Sequence, residues 1–412
     1  MKAAQVSLSV TPNTYNIDSL SGFKNRSESA VNLGDPELYI SANWIKDETD
    51  CDLILISVDA LYINSNSARV IYEFVEKEYK ITKKQIVFNA THTHSAPSIS
   101  NDIFGVEDLN YREIVQNKII EAIRLASTNL KPMSLKMHVL KLPNDLVVNR
   151  RLHVRDFKTL FFKRNTLMAP DYDKEYDSNC RIITIGVSSG VFFNFSCHPV
   201  FNRSNRMSSD FPGDIRIRLS RNFQNPVFFQ GFSGDVRPNS VVKSVKYDNL
   251  KSIIKTLIYG VSFIPSSKVF YNRFCDAMAS AISTKQFNGQ VLSGIFRFKL
   301  FHVELCSDSG NTRKNIECKL IYLDSLLLVS IPAEVNSKYV NILSSEHRGV
   351  VIMPMGYSEG VIGYLPHWSE VDNGGYEVDS YANYGWDSKI SKMSLKHFEL
   401  ILLNKVSELI HD

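Results

Sequence analysis

Two histidines one residue apart are the first feature of this chain that could do chemistry, in Asn89-Ala90-Thr91-His92-Thr93-His94-Ser95-Ala96-Pro97. On extended backbone, residues two apart point to the same side, so both imidazoles can approach one site. Neutral imidazole is a good zinc ligand, and a second ring beside it can orient a substrate or handle a proton. By spacing alone, two histidines in a polar surface loop explain the segment equally well. His198, in Phe195-Ser196-Cys197-His198-Pro199, also follows an apolar run directly. A lone histidine in that place is more often structural than a ligand. Its neighbour Cys197 would point to the opposite face of a strand, which argues against a cysteine–histidine pair. Glu334, in Ile331-Pro332-Ala333-Glu334, fits the first turn of a helix beginning near Pro332, where a carboxylate complements the helix dipole. Gly356-Tyr357-Ser358-Glu359-Gly360 matches the G-x-S-x-G of a serine-hydrolase elbow, with Asp372 and His397 following in triad order. That elbow needs a helix directly after the serine, whereas Gly363 and Pro366 stand there. Ser358 is therefore the weaker candidate.

The elements that must position these groups read as an α/β pattern. Asp52 to Asp59 and Ile86 to Asn89 are continuous apolar runs of buried-strand type, the second leading straight into the histidine pair. Helices are expected from about Ser67 to Tyr79, with Val70, Phe74 and Val75 on one side, and from Tyr111 to Leu130. Strand, helix, strand, helix implies a sheet that is at least partly parallel, and such sheets bind ligands at the carboxyl ends of their strands. Arg181 to Val187 and Val191 to Phe195 suit a hairpin turning at Ser188-Ser189-Gly190, and Val227 to Gln230 is a further short strand. Leu320 to Leu323 and Leu326 to Ser330 read as a second hairpin, and Ser394 to Ile410 as a closing amphipathic helix. Residues from about 240 to 300 have weak periodicity, with one helix expected near Cys275 to Ser283. No repeat or linker divides the chain, so residues 1–412 are expected to form a single domain with insertions.

Composition narrows the function classes. Of the 412 residues, 44% are hydrophobic and 22% charged, which suits a globular protein with a sizeable core. The formal charge of +4 is too small to imply nucleic acid or an anionic membrane as partner. No apolar run reaches the length of a transmembrane helix, and the amino terminus alternates like a strand and lacks the apolar core of a signal peptide. The six cysteines are scattered without a C-x-x-C pair, so reduced thiols and a cytoplasmic location are expected.

Taken in order along the chain, the segments resemble the catalytic domain of the neutral/alkaline ceramidase family, zinc enzymes that cleave the amide of N-acyl sphingoid bases. Ser21-Gly22-Phe23 with Arg26, and Asp35-Pro36-Glu37-Leu38-Tyr39, are similar to its amino-terminal pattern. Thr91-His92-Thr93-His94-Ser95 with Pro97 resembles its H-T-H-S-x-P, and Asn149-Arg150 its N-R element. His198-Pro199 and Ser209-Asp210-Phe211-Pro212-Gly213 resemble its H-P and S/A-D-Y-P-G pair. Gly234-Asp235-Val236 with Pro238-Asn239 resembles G-D-V-S-P-N, Ile331-Pro332-Ala333-Glu334 resembles I-P-G-E, and Tyr364, Tyr376-Glu377 and Tyr384-Gly385 resemble the terminal tyrosine-rich block.

The resemblance implies mixed β-sheets flanked by helices, and one Zn2+ held by His92, His198, Glu334 and Tyr364. It also implies a pocket in which His94, Arg150 and Tyr376 hydrogen-bond the scissile amide, cleaved by metal-activated water. The proton for the leaving amine would come from His94 or from the zinc-bound water. Two departures shape the expected substrate. Arg237 stands where the family carries a serine implicated in catalysis; it either neutralises a substrate carboxylate or phosphate, or pairs with Asp235 or Asp210 as structure. The family's carboxy-terminal β-sandwich has no counterpart after the tyrosine block. Both turn the expectation from ceramide towards a more polar N-acyl compound, such as an N-acetylated sugar. A non-catalytic zinc-binding relative and a serine hydrolase using Ser358 are the alternatives.

Overall fold

The computed structural model describes residues 1–12, 17, 19–23, 34–100, 106–143, 145–155, 164–187, 189–241, 263, 267–283 and 289–411. Arg26 and Ser188, named above, and much of the stretch of weak periodicity lie outside them.

Three sheets share one apolar core. The first runs, in spatial order, Ile86–Ala90, Asp52–Val58, Tyr39–Lys46, Lys2–Ser9 and Lys131–Pro132. The second runs Pro226–Gln230, Gly190–Phe195, Asn179–Ile185, Leu135–Lys141 and Gln290–Leu292, and the third Arg297–Cys306, Arg313–Leu323, Leu326–Ser330 and Val351–Met355. Alternation along each strand decides the layers. Leu53, Leu55 and Val87 join Phe192, Phe229, Leu326, Leu328 and Met353 in the shared core, while Ile54, Ile56 and Phe88 face outward. The outward side chains of the first sheet meet the helices Ser65–Tyr79 and Leu109–Thr128. Those of the third sheet meet Lys392–His411. Those of the second meet Asp210–Leu219 and Lys268–Ser283. Strands buried on both faces must be apolar throughout, which is why these runs show no polar alternation. The α/β class with mixed sheets flanked by helices is as expected.

Each sheet carries one parallel pair among antiparallel neighbours: Asp52–Val58 with Ile86–Ala90, Gly190–Phe195 with Pro226–Gln230, and Leu326–Ser330 with Val351–Met355. The carboxyl ends of these pairs are tied together by a buried amide. Asn89 Nδ2 donates to the carbonyls of Gln230 (3.0 Å) and Gly356 (2.7 Å), and its Oδ1 accepts from the Gln230 amide (2.7 Å).

Several expectations shift. Val75 is buried as expected, but Val70 is 37% exposed, because the helix buries Ala68, Ile71 and Tyr72 beside Val75 instead. No helix starts at Pro332; Glu334–Val335 is a strand paired in parallel with Tyr364–Leu365, and the helix begins at Lys338. All six cysteines are unpaired, and among the described residues no helix is long and apolar enough to cross a membrane.

Asn89→Ala removes three buried hydrogen bonds at once, and stranded buried groups each cost about 1–3 kcal/mol. It is expected to lower the free energy of unfolding by about 3 kcal/mol or more, measured by urea denaturation.

Candidate functional site

Strand ends deliver the histidines. Thr91 is held by its amide to the Val58 carbonyl (2.8 Å) and by its hydroxyl to Asp59 (3.0 Å). His92 follows with φ of +64°, a left-handed turn that is costly for a residue with a Cβ and that folds the ring inward. His198 leaves the Gly190–Phe195 strand in the same direction, its amide bonded to the Val236 carbonyl (3.0 Å). Glu334 enters from beyond the Leu326–Ser330 strand and is 2% exposed. A Cβ on Gly22, whose φ is +97°, would lie 2.6 Å from His94, so glycine is what lets that loop cross the ring.

The tautomers of the three rings are fixed by what they touch. Nδ1 of His92 meets the Leu61 carbonyl (3.0 Å), that of His198 the Ser233 carbonyl (2.6 Å), and that of His94 the Gly22 carbonyl (3.0 Å). A carbonyl only accepts, so each Nδ1 carries the hydrogen and each Nε2 presents a lone pair. Ligand atoms of His92, His94 and His198 lie within 4.8 Å of one another. Nε2 of His92 is 3.2 Å from that of His94, and Glu334 Oε2 is 3.4 Å from His92 Nε2 and 3.1 Å from His198 Nε2. The other oxygen, Oε1, accepts from Tyr62 (2.6 Å) and Tyr384 (2.9 Å). With neutral rings, none of the four converging atoms carries a hydrogen. Such a set repels itself unless a cation lies among them, and imidazole nitrogens with one carboxylate oxygen suit zinc. The residues present fit that ion.

The charge states agree. Burial first, then the charge of Arg150, pushes His198 down to about 4, so it is neutral near pH 7. Burial alone would raise the Glu334 carboxyl, and positive charge facing it from the side of His92 and His198 holds it well below the usual range; with both rings neutral, a cation among them is what would supply that charge. Tyr357 stacks on His92 with centroids 4.0 Å apart and bonds Ser233 Oγ (2.9 Å).

Around this centre lies a buried layer of arginines and glutamates. Arg150 Nε donates to Glu377 (2.7 Å), and its Nη2 donates to the Gly234 carbonyl (2.8 Å) and the Tyr364 hydroxyl (3.0 Å). Arg151 joins Glu377 to Glu370, and Lys174 and His153 add to Glu370. Tyr364 is thus brought beside Glu334 by strand pairing and held by Arg150. Burial first, then the Glu334 charge, pushes its phenol well above the ordinary value. Tyr376, 38% exposed, packs edge-on against Tyr364 with centroids 5.5 Å apart. All the expected residues, His92, His94, Arg150, His198, Glu334, Tyr364 and Tyr376, therefore meet in one network.

Arg237 is the exception. Neither acidic partner takes it: Asp235 accepts from Asn149 (2.8 Å) and the Ser337 amide (2.7 Å), and Asp210 accepts from the amides of Asn202 (2.8 Å) and Phe211 (2.6 Å). The expected pairing with Asp235 or Asp210 is therefore not made. The guanidinium is 6% exposed, lies over the Phe263 ring at 4.0 Å, and its Nε has no hydrogen-bond partner. A ring contact returns about 0.5–2 kcal/mol, against several for burying an unpaired charge. Burial first, then the charges of Arg150 and Arg203, pushes it down to about 9, which leaves it cationic at neutral pH.

Ser358 is no nucleophile. Its Oγ meets Ser330 Oγ (2.6 Å), Asp372 pairs with Lys392, and the residues of the segment with positive φ are Tyr357 and Gly360, not Ser358.

The sequence assigns no role to Tyr62 or Tyr357, and Tyr384 and Glu377 stand in the tyrosine-rich block without one. Tyr62 had a signal: it follows the Asp52–Val58 strand as His92 follows the parallel Ile86–Ala90 strand, so both had to emerge at the same edge.

The fold has known counterparts. The chain aligns with the crystal structure of a neutral ceramidase from Pseudomonas aeruginosa at a TM-score of 0.75 and 14% identity, covering 98% of this chain and 73% of that one. It aligns with a ceramidase complexed with C2 at 0.73 and 14%, covering 98% and 74%. No family model and no curated protein sequence matches. The chain has a neutral-ceramidase-like fold.

Glu370 tests the buried layer. Burial raises it, but the His153 hydrogen bond and Lys174 outweigh this and hold it far below the usual range. Its folded value is depressed, so its contribution is complete above the unfolded value of about 4.3 and is lost as pH falls below that. Glu370→Gln is expected to flatten the acid limb of unfolding free energy against pH between about 5 and 2.

Proposed function

We propose that this protein is a zinc-dependent hydrolase of N-acyl compounds, formed by residues 1–412 as one domain. The converging lone pairs of His92, His198 and Glu334, each locked in its ligand form, are the observation that carries this reading. These three with Tyr364 would hold one Zn2+, and the neutral-ceramidase-like fold supports amide cleavage as the reaction. When bound, the ion supplies Lewis acidity and a water made acidic enough to act as nucleophile near pH 7.

The rest is the work of side chains. Water adds across the C–N bond, giving a carboxylic acid and an amine. Glu334, ionised and fixed through Oε1 by two phenols, brings the negative charge that the centre needs. His94 has its Nε2 beside that of His92, placed to take a proton from the attacking water and return it to the departing nitrogen. Tyr376, at the exposed edge of the network, is a hydroxyl donor for the carbonyl oxygen as it gains charge. Arg150 positions Tyr364 and adds positive charge without being free to titrate. The six unpaired cysteines support a reducing compartment, and so the cytoplasm.

Purified protein is expected to carry one zinc ion per chain by elemental analysis, and His92→Ala and Glu334→Ala to lose it. Chelation should abolish turnover of an N-acyl panel, and zinc should restore it. Metal-replete wild type that cleaves no member of the panel, or active protein free of metal, would sink the proposal.

Tyr376→Phe should keep the metal and lower kcat by about 10- to 100-fold with little change in KM, read from steady-state kinetics, because its bond strengthens only as the oxyanion forms.

A further inference from the structure

We infer that the substrate is an anion, and that Arg237 is the residue that binds its negatively charged group. This rests on the hydrolase reading for the identity of the ligand. The arginine's need of a partner stands apart from that reading.

Arg237 lies in Val236–Pro238, one residue after the carbonyl that holds the His198 amide (3.0 Å), so its backbone is bound to the metal centre's own frame. Its side chain is 6% exposed, with Nε unpartnered, and among the described residues it makes no ion pair. Every other buried arginine of this region has its carboxylate: Arg150 has Glu377, and Arg151 has Glu370 and Glu377. The neighbourhood of Arg237 is instead positive. Arg150 and Arg203 are near enough for their charges to act on it. Arg203 is exposed and lies over the Phe23 ring at 5.5 Å, and that ring is 4.8 Å from His94. Three cations, Arg150, Arg203 and the buried Arg237, thus act on one another here, an arrangement that attracts an anion. The unpartnered Nε–H of a guanidinium, taken with a neighbouring terminal N–H, suits a carboxylate, which takes two parallel hydrogen bonds. Phe263 beneath the plane, at 4.0 Å, fixes its orientation. The substrate class is therefore an N-acyl compound bearing a carboxylate.

The test compares N-acylglycines and N-alkylsuccinamates, with the carboxylate on the amine or the acyl side, against neutral N-acylethanolamines of matched length. Zinc-loaded wild type, Arg237→Gln and Arg237→Met are assayed. Wild type should favour one carboxylate series in kcat/KM by about 100-fold or more, as sites built around a buried polar partner do. Both variants should lose that preference while changing the neutral amides by less than about tenfold. Melting curves in low-salt Tris give a readout independent of turnover. N-dodecanoylglycine should raise the melting temperature of wild type but not of the variants, and Arg237→Met without ligand should melt above wild type, because an unpaired buried charge is gone. Variants that melt lower and lose activity on neutral and anionic amides alike would show a structural arginine and overturn the inference. So would wild type that prefers the neutral series. Stabilisation by N-dodecanoylglycine that depends on Arg237, without cleavage of any amide, would sustain the anion site while removing the hydrolase reading.

Discussion

Lone pairs from three imidazoles and a carboxylate pointed at one another are the constraint to which the structure answers. Hydrogen bonds from each Nδ1 to a backbone carbonyl forbid the rings to relieve the repulsion by changing tautomer. Two phenols on Glu334 Oε1 forbid the carboxylate to turn away. Protonation offers little relief at His198, which burial and the Arg150 charge keep neutral. A cation lying among them would relieve the repulsion, which is what makes the cluster a candidate metal site. Outer partners of this kind set the orientation and basicity of ligands in metal sites generally.

Holding such a set requires that its members come from elements that cannot drift. Each of the three sheets brings one parallel pair to the same edge, and each pair gives the centre two groups. Tyr62 and His92 come from the first, His198 and Ser233 from the second, and Glu334 and Tyr357 from the third. Parallel strands align their carboxyl ends, so chain emerging from them meets at one point. Asn89 makes the alignment rigid because its fully buried amide bonds to both neighbouring pairs. The Arg150, Arg151, Glu370 and Glu377 layer then braces the tyrosines against the same edge.

This explains what the sequence could reveal. The double-faced strands announce themselves as unbroken apolar runs, and the histidines stand at their ends, so the fold class and both histidine segments were legible. Local preference alone reads Glu334 as a helix-start carboxylate, because Pro332 favours a first turn, and only the family resemblance makes it a ligand; pairing with the Tyr364–Leu365 strand overrides the helix. Val70 was placed on the buried face because a helix position taken from apolar residues alone drifts by one residue. The roles of Tyr62, Tyr384 and Glu377 are not local: Tyr62 and Tyr384 meet each other (3.3 Å) and Glu334 across most of the chain, and Glu377 matters only because two arginines from a distant strand arrive beside it. Partnerships that close across hundreds of residues are invisible to periodicity.

Arg237 shows a different kind of illegibility. Its departure from the family pattern was plain in the sequence, but two opposite meanings were open until the geometry of Asp235 and Asp210 removed one. Both acids are saturated by amides and hydroxyls, so the arginine is no member of the internal network. A fold that satisfies Arg150 and Arg151 so fully has no difficulty in pairing guanidinium groups. Leaving one buried and unmatched is therefore a local conflict with every other choice made nearby, and such conflicts concentrate where a protein meets its ligand. A centre that itself gathers positive charge would not tolerate a further buried cation without gain. The gain is supplied when an anion enters between them and is attracted by both.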